Sequence, residues 1–505
     1  MAIEKSLFKK FNNLLNRHSN RPCCRWKGFG RIINTNPKSN QLRLNRSLVE
    51  ASNILNRLSI SWIYYILLPY LFDSNRLSKK FSLSICFMIF LFIAFTRITT
   101  TLDNEASSQF VVWDTIGFWL IWIILIISIL SLMASTDSHW RDKESVLILI
   151  IIINLVVMLV LLKCSSVVSF YVIFELAAIP ILVIIIGWGR QPEKLKASFF
   201  IFFFTIVSSA PLLAVIMSTI STDNFAFIIF DRLALHQDKR YPGFVLCILL
   251  VVRIIAKIPI FGLHNWLPKA HVEAPVYGSI ILAGILLKLG GIGVTRIWFL
   301  INSNKLTDFV GIISVVGTFV IRLIVLTKTD IKQIVAFSSI IHIAIPIIII
   351  RTGSEAAVFL LLATLISHAF RSSGIFFIVY YFYLARGSRN LIVIKGNSNF
   401  YQTMKFLWLF IIVARLGGPP FFNLIVELLS LQTIIIYYGA VSFVILVPFL
   451  ITCVFHILLY TRVAQGGRNE NYHSSRPVNS SLFLTVALTH VLYALLASLI
   501  LTKIL

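Results

Sequence analysis

Acidic residues are scarce in this chain. There are 20 Asp and Glu against 45 Lys and Arg in 505 residues, and charged residues of both signs make up only 13%. Soluble globular domains carry about a quarter charged residues, so an ordinary soluble fold is excluded. Paired cysteines are also missing. Cys23, Cys24, Cys86, Cys164, Cys247 and Cys453 lie mostly singly in apolar runs, without the spacing of a zinc site, an iron–sulfur site or a disulfide framework. They read as small core hydrophobes. No GxGxxG follows a strand, and there is no P-loop, CxxCH or HExxH. The polypeptide therefore offers no nucleotide, haem or zinc site of its own, and any redox chemistry has to sit in a partner.

What the chain has instead is apolar length. Hydrophobic residues make up 58% and the mean hydropathy is +0.89. Stretches long enough to cross a hydrocarbon core of ~30 Å recur from Phe81–Ile98 to Ser481–Leu501, with a shorter candidate at Ile60–Phe72. The expected fold is an all-α polytopic membrane protein of about fourteen transmembrane helices. Residues 60–505 form that domain. Residues 1–59 form a basic extension: the first sixty residues hold twelve Lys or Arg against Glu4 and Glu50. Three readings fit it, a cleaved presequence, an arm lying on anionic lipid and a disordered tail. The basic loops Arg386–Lys395 and Arg462–Arg476 favour the negative-inside face of the membrane.

Against this apolar background a few ionisable residues stand out, because charge at bilayer depth is costly and is usually functional. The segment KIPIFGLHNWLPKAHVEAPVYGSIILAGILLKLGGIGVTR, residues 257–296, sets Lys257 and Lys288 into such runs. Lys257 precedes Pro259 by two residues, and proline removes a backbone donor and breaks a helix. Freed carbonyls in mid-membrane are tolerated where they face protein or water, so a hydrated site is expected there. Lysine, unlike arginine, can give up and regain a proton. Lys288 lies among Ala283, Gly284, Gly290 and Gly291, small residues that let neighbouring helices approach closely; snorkelling is its bland alternative. Glu175 is either a carboxyl satisfied locally or the partner of a lysine, with Lys257 the obvious candidate. His342 and His368 read as packing residues bonded to serines or as relay members. Glu427 follows the break at Gly417, Gly418, Pro419 and Pro420, echoing Lys257 beside Pro259. An ionisable residue beside a break in each half predicts two pseudo-symmetric halves with discontinuous helices.

Outside these runs, Lys269, His271 and Glu273 between Pro268 and Pro275 read as local salt bridging at a broken helix, with proton entry as the alternative. Asp330 and Lys332 read as a helix cap and its charge partner.

The strings LPKAHVEAPVYGSIILAGILLKLG, TDIKQIVAFSSIIH, GWGRQPEKLKASFF and GGPPFFNLIVE resemble the chain 4 family of mitochondrial NADH:ubiquinone oxidoreductase, respiratory complex I, within the wider group of antiporter-like membrane subunits. The resemblance implies a proton path in which the fifth-helix glutamate pairs with the seventh-helix lysine, and protons pass a central lysine and histidines to an acid on the twelfth helix. By position these roles fall on Glu175, Lys257, Lys288, His342, His368 and Glu427. It implies no cofactor in this chain, with NAD, FMN, iron–sulfur clusters and ubiquinone held by partner subunits. Implied partners are other membrane subunits of complex I, neighbouring antiporter-like subunits among them, and membrane lipids; no nucleic acid is expected. The implied location is the mitochondrial inner membrane. Arg253, Arg371 and Arg415 depart from the family pattern, which has apolar, small or neutral residues there, and the basic extension has no counterpart in it. A free-standing cation/proton antiporter is the rival reading, since it needs the same hydrated line of titrating groups.

Overall fold

The computed structural model describes residues 115–135, 144–164, 167–220, 248, 252–253, 256–297, 304–350, 355–394, 402–438, 443–465, 484 and 486–495. The chain divides into two units, residues 1–90 with Leu505 and residues 91–504, and everything described belongs to the second. The basic extension and the helices expected at Ile60–Phe72 and Phe81–Ile98 lie outside the described residues.

Every named element among the described residues is a helix. In chain order they are α1 (Thr115–Ser135), α2 (Glu144–Lys163), α3 (Val167–Leu176), α4 (Ile179–Trp188), α5 (Lys194–Ile220), α6 (Trp266–Glu273) and α7 (Val276–Ile281), then a π-helical turn at Leu282–Leu286 that runs into α8 (Leu287–Ile297). There follow α9 (Asn304–Leu326), α10 (Ile331–Ile350), α11 (Glu355–Arg386), α12 (Leu391–Ile394), α13 (Gln402–Arg415), α14 (Asn423–Tyr438) and α15 (Phe443–Ala464). Seven spans among the described residues are long and apolar enough to cross a membrane, and α1, α14 and α15 supply shorter apolar stretches.

Burial sorts these spans into inner and outer ones. In the Val276–Thr295 window 94% of residues are buried, against 33% for Lys194–Ala214. The inner set comprises α7 to α8, α10 and α11, and it carries Lys288, His342 and His368. The outer helices α5 and α9 turn Phe199, Phe202, Phe203, Phe309, Ile312 and Val316 outward. Apolar side chains on the rim cost nothing against lipid, whereas ionisable ones are stable only where protein or water surrounds them. The long helix α11 is the hub, packing against α1, α7, α8, α10, α13 and α14.

Backbone interruptions fall beside the ionisable residues. Pro180 ends the α3 ladder and α4 restarts at Ile179, so a two-residue turn follows Glu175 by one position. At Lys257 the helix stops at Pro259, Gly262 takes φ +98, and α6 restarts at Trp266. The indole of Trp266 donates to the Ala256 carbonyl at 3.1 Å, satisfying a group that the break frees. The second expected break is present as well: α13 ends at Arg415, Gly417 takes φ +71, and α14 begins at Asn423. The π-helical turn before Lys288 is an interruption that the sequence did not announce. Both halves of the described chain thus hold a discontinuous helix beside an ionisable residue, as expected.

Candidate functional site

Glu175 and Lys257 do not pair. Arg253, one helical turn before the lysine, takes the Glu175 carboxylate in an ion pair. The same guanidinium donates to the Ser208 hydroxyl at 2.6 Å and to the Thr205 carbonyl at 3.0 Å. Its central carbon lies 5.0 Å from the Phe174 ring centroid. The physical reason for the corrected pairing is geometric: a planar fork matches a carboxylate and several further acceptors at once, where an ammonium offers one point charge. Lys257 is left with its Nζ 4.7 Å from the Phe174 centroid and no hydrogen-bond acceptor among the described residues, although it is 1% exposed. A buried ammonium resting on an aromatic face is a weakly held charge.

The backbone at Lys257 touches the next member of the group. A Cβ placed on Gly290 would lie 3.2 Å from the Lys257 carbonyl carbon and 3.1 Å from the Ile258 nitrogen, so the glycine is what permits this crossing. Two residues earlier, Lys288 donates from Nζ to the Ala283 carbonyl at 2.6 Å and meets His368 Nδ1 at 2.9 Å. The Ala283 carbonyl lies inside the π-helical turn, where the wider ring releases acceptors from the usual ladder. Snorkelling is ruled out for Lys288, which is 1% exposed and bonded inward.

His342 and His368 separate into different environments. His368 serves Lys288. The Nδ1 atom of His342 instead lies 3.5 Å from Glu427 Oε1. That oxygen also accepts from Asn423 Nδ2 at 2.6 Å and faces Arg371 Nη1 at 3.6 Å. Arg371 stands three residues after His368 on α11, so one helix turn joins the Lys288 pair to the Glu427 cluster. Arg415 donates to the Ser338 and Ser339 hydroxyls and to the Val335 carbonyl. The three unexpected arginines therefore all lie along the polar line: Arg253 and Arg371 each hold an acid, and Arg415 is held by α10.

Two members of the cluster escaped sequence reasoning. His456 on α15 is fully buried, its ring centroid 6.0 Å from that of His342, and its Nδ1 meets the Thr452 carbonyl at 2.8 Å. Arg322 on α9 donates from Nε to the Thr452 hydroxyl at 2.6 Å. Each was legible as a lone polar residue in an apolar run, Arg322 within Phe309–Leu326 and His456 in ITCVFHILLY.

Glu427 is positioned by the preceding break. A Cβ on Gly417 would come within 2.7 Å of Glu427 Oε2, and positive φ adds about 1–2 kcal/mol for a residue with a side chain. Gly417→Ala is therefore expected to lower the thermal stability of the chain by roughly that amount and to displace the carboxylate from Asn423. Equal melting behaviour for variant and wild type would count against this contact.

Lys269, His271 and Glu273, between Pro268 and Pro275, make no ion pair among the described residues, so the expected local salt bridging is absent there. Lys332 donates to the Val272 and Ala274 carbonyls, and Arg389 donates to the Val272 carbonyl at 2.6 Å; together they close the end of α6. Asp330 caps α10, its Oδ1 accepting from the Lys332 backbone N–H at 2.8 Å. Its charge partner is Arg389, at 3.8 Å, and not Lys332, because the lysine side chain is spent on carbonyls. Lys269 points outward with Nζ 3.5 Å from the Phe200 centroid, and His271 stacks on Phe376 at 4.4 Å. Among the described residues no group of three or more His, Cys, Asp or Glu side chains is arranged to hold a metal.

Residues 164–454 match the family described as NADH:quinone oxidoreductase/Mrp antiporter, transmembrane. The chain is 33% identical over 334 residues to NADH-ubiquinone oxidoreductase chain 4 of Ceratitis capitata, covering 65% of this chain and 73% of that protein. It is 36% identical over 267 residues to the protein of that name from Aedes aegypti, covering 52% and 59%. With the protein of that name from Myxine glutinosa it shares 29% over 364 residues, covering 71% and 79%. In fold it is similar to a chain of respiratory complex I from Thermus thermophilus with bound NADH, at a TM-score of 0.67 and 16% identity over 77% of this chain and 85% of that one.

Proposed function

Because this chain belongs to the NADH:quinone oxidoreductase/Mrp antiporter transmembrane family, we propose that it is a proton-translocating membrane subunit of respiratory complex I. Its partner subunits oxidise NADH and reduce ubiquinone, and they carry the NAD, FMN and iron–sulfur sites. Its place is the mitochondrial inner membrane, beside other antiporter-like subunits and lipid. The observation that carries this reading is the buried run of contacts from Lys288 and His368, through the turn of α11, to Glu427 and His342.

In this reading Glu175, Lys257, Lys288, His342, His368 and Glu427 form the proton path, with Arg253 as the switch partner at its start. Arginine keeps its charge, so Arg253 does not carry protons; it competes with Lys257 for the Glu175 carboxylate. A carboxylate swung from one cation to the other moves negative charge by a few ångström. At an effective dielectric near 20 that changes a neighbour's energy by a few kcal/mol, enough to shift a proton between Lys257 and Lys288. The signal for the swing arrives from a neighbouring subunit. Protons then pass from Lys288 to His368, and over water to His342 and Glu427.

The test is to purify the native membrane assembly that contains this chain in mild detergent and to assay the same fractions for NADH:quinone oxidoreductase activity. Co-migration is expected, with Lys257→Ala lowering proton pumping while the chain stays in the assembly. A chain that runs alone, with no linked NADH oxidation, would sink the assignment and favour an independent cation/proton antiporter.

A further inference from the structure

The ends of five helices surround a half-open cleft. Beside it α4 stops at Trp188, α6 at Glu273 and α11 at Arg386, while α7 starts at Val276 and α10 at Ile331. Trp188, Tyr277, Tyr380 and Tyr383 line it. Trp and Tyr favour the level of the lipid headgroups, and the ends of spanning helices reach the same depth, so the cleft lies at the membrane–water boundary. It holds about 80 Å³ of free space, where a single water needs roughly 10–15 Å³. A group of several heavy atoms therefore fits. Val276, Phe376 and Val379 give part of the wall an apolar surface.

Three polar side chains of the wall lack partners among the described residues. Trp188 is 4% exposed, and its indole N–H is buried with no acceptor. Two residues on, Arg190 rests over the rings of Tyr383 and Tyr380, its central carbon 5.6 Å and 6.0 Å from their centroids. It makes no ion pair, and its N–H groups, which lie in the guanidinium plane, have no acceptor. The third group is Glu273, whose Oε2 is buried and receives no hydrogen bond. The other cations of the cleft are spent elsewhere. Lys332 donates to the Val272 and Ala274 carbonyls. Arg389 donates to the Val272 carbonyl and to Gln191 Oε1 at 2.8 Å, and faces Asp330.

Unsatisfied donors and an unsatisfied carboxylate on one wall restrict the ligand. A simple anion would satisfy Trp188 and Arg190 but be repelled by Glu273, and a simple cation would do the reverse. The ligand has to carry an anionic acceptor and an N–H donor a few ångström apart. A phosphodiester joined to a primary ammonium does so; a choline headgroup has both charges but no N–H to give. Basic pockets between membrane helices take lipid headgroups, and the apolar part of the wall suits the glycerol end of such a molecule.

We propose that this cleft binds the headgroup of an ethanolamine phospholipid, its phosphodiester against Trp188 and Arg190 and its ammonium against Glu273. The site rests on the membrane-spanning fold and is independent of the proton path.

The test uses the intact membrane assembly, stripped of co-purified lipid by detergent exchange and placed in nanodiscs for electron cryo-microscopy. Discs of phosphatidylcholine with added phosphatidylethanolamine should show headgroup density in the cleft, and discs of phosphatidylcholine alone, or with phosphatidylglycerol, should not. Arg190→Gln and Glu273→Gln should each lose that density and keep the lipid density elsewhere on the assembly. Soluble phosphoethanolamine added to phosphatidylcholine discs should leave the cleft empty; filling by it, and not by the lipid, would make the ligand a free phosphoamine. Density with phosphatidylglycerol instead, a segment of a neighbouring subunit in the cleft, or no density with phosphatidylethanolamine overturns the proposal.

Discussion

Lys288→Met is expected to lower proton translocation through this chain by roughly two orders of magnitude, the scale on which losing a positioned acid or base acts, while the chain remains in the membrane. Methionine is close to lysine in length and fills the same space, so no large cavity opens at this fully buried position. The substitution strands the Ala283 carbonyl and His368 Nδ1, which the ammonium now engages at 2.6 Å and 2.9 Å. Leaving such groups unsatisfied costs about 1–3 kcal/mol each. Removing a buried charge relieves a desolvation penalty of the opposite sign, so the net change in stability is small. Lys288→Arg separates the two possible roles of the residue. It keeps the positive charge but cannot release a proton, and it is expected to be as inactive as methionine. Proton uptake by reconstituted assembly during NADH oxidation measures both variants, and native pumping by Lys288→Arg would make Lys288 a fixed counter-charge rather than a carrier.

Glu175→Gln is expected to destabilise the chain by about 3 kcal/mol. Removing one partner of a buried ion pair costs roughly 3–5 kcal/mol because the other charge is left uncompensated. The lower end applies here because the Glu175 side chain is 23% exposed while Arg253 is 2% exposed. Arg253 would keep its bonds to Ser208 and the Thr205 carbonyl but have no counter-charge. Combining Glu175→Gln with Arg253→Met should restore most of the loss, since the stranded guanidinium is then gone. Denaturation of the purified assembly, followed through release of this chain, gives the four corners of the cycle. Simple additivity of the two substitutions would mean that the pair contributes nothing as a pair, and it would remove Arg253 as the competitor of Lys257.

The helix breaks were legible because they are local. Pro259 and the run Gly417 to Pro420 remove donors and permit positive φ wherever the chain takes them, so an interruption beside Lys257 and another before Glu427 could be read without a third dimension. The close approach at Gly290 was legible for a similar reason, since a glycine in an apolar run has little other use there. The π-helical turn at Leu282–Leu286 was not. Nothing in LAGIL departs from ordinary helical composition; the turn is stabilised by the ammonium of Lys288 bonding back to Ala283.

The long apolar runs by themselves determined that this is a helical membrane protein, because stretches of that length cross a hydrocarbon core as helices whose backbone groups bond within the segment. The sequence also singled out most of the ionisable candidates, because an ionisable group in an apolar run is costly enough to need a reason. The partners of those groups were decided by the tertiary structure. Arg253 takes Glu175 from 78 positions away, Lys288 meets His368 from 80, and Arg322 reaches Thr452 from 130. Electrostatic and hydrogen-bond energies depend on distances of a few ångström, which helical periodicity along one segment leaves undefined. A face can be read from spacing; which of several cations reaches a carboxylate first depends on how the helices cross.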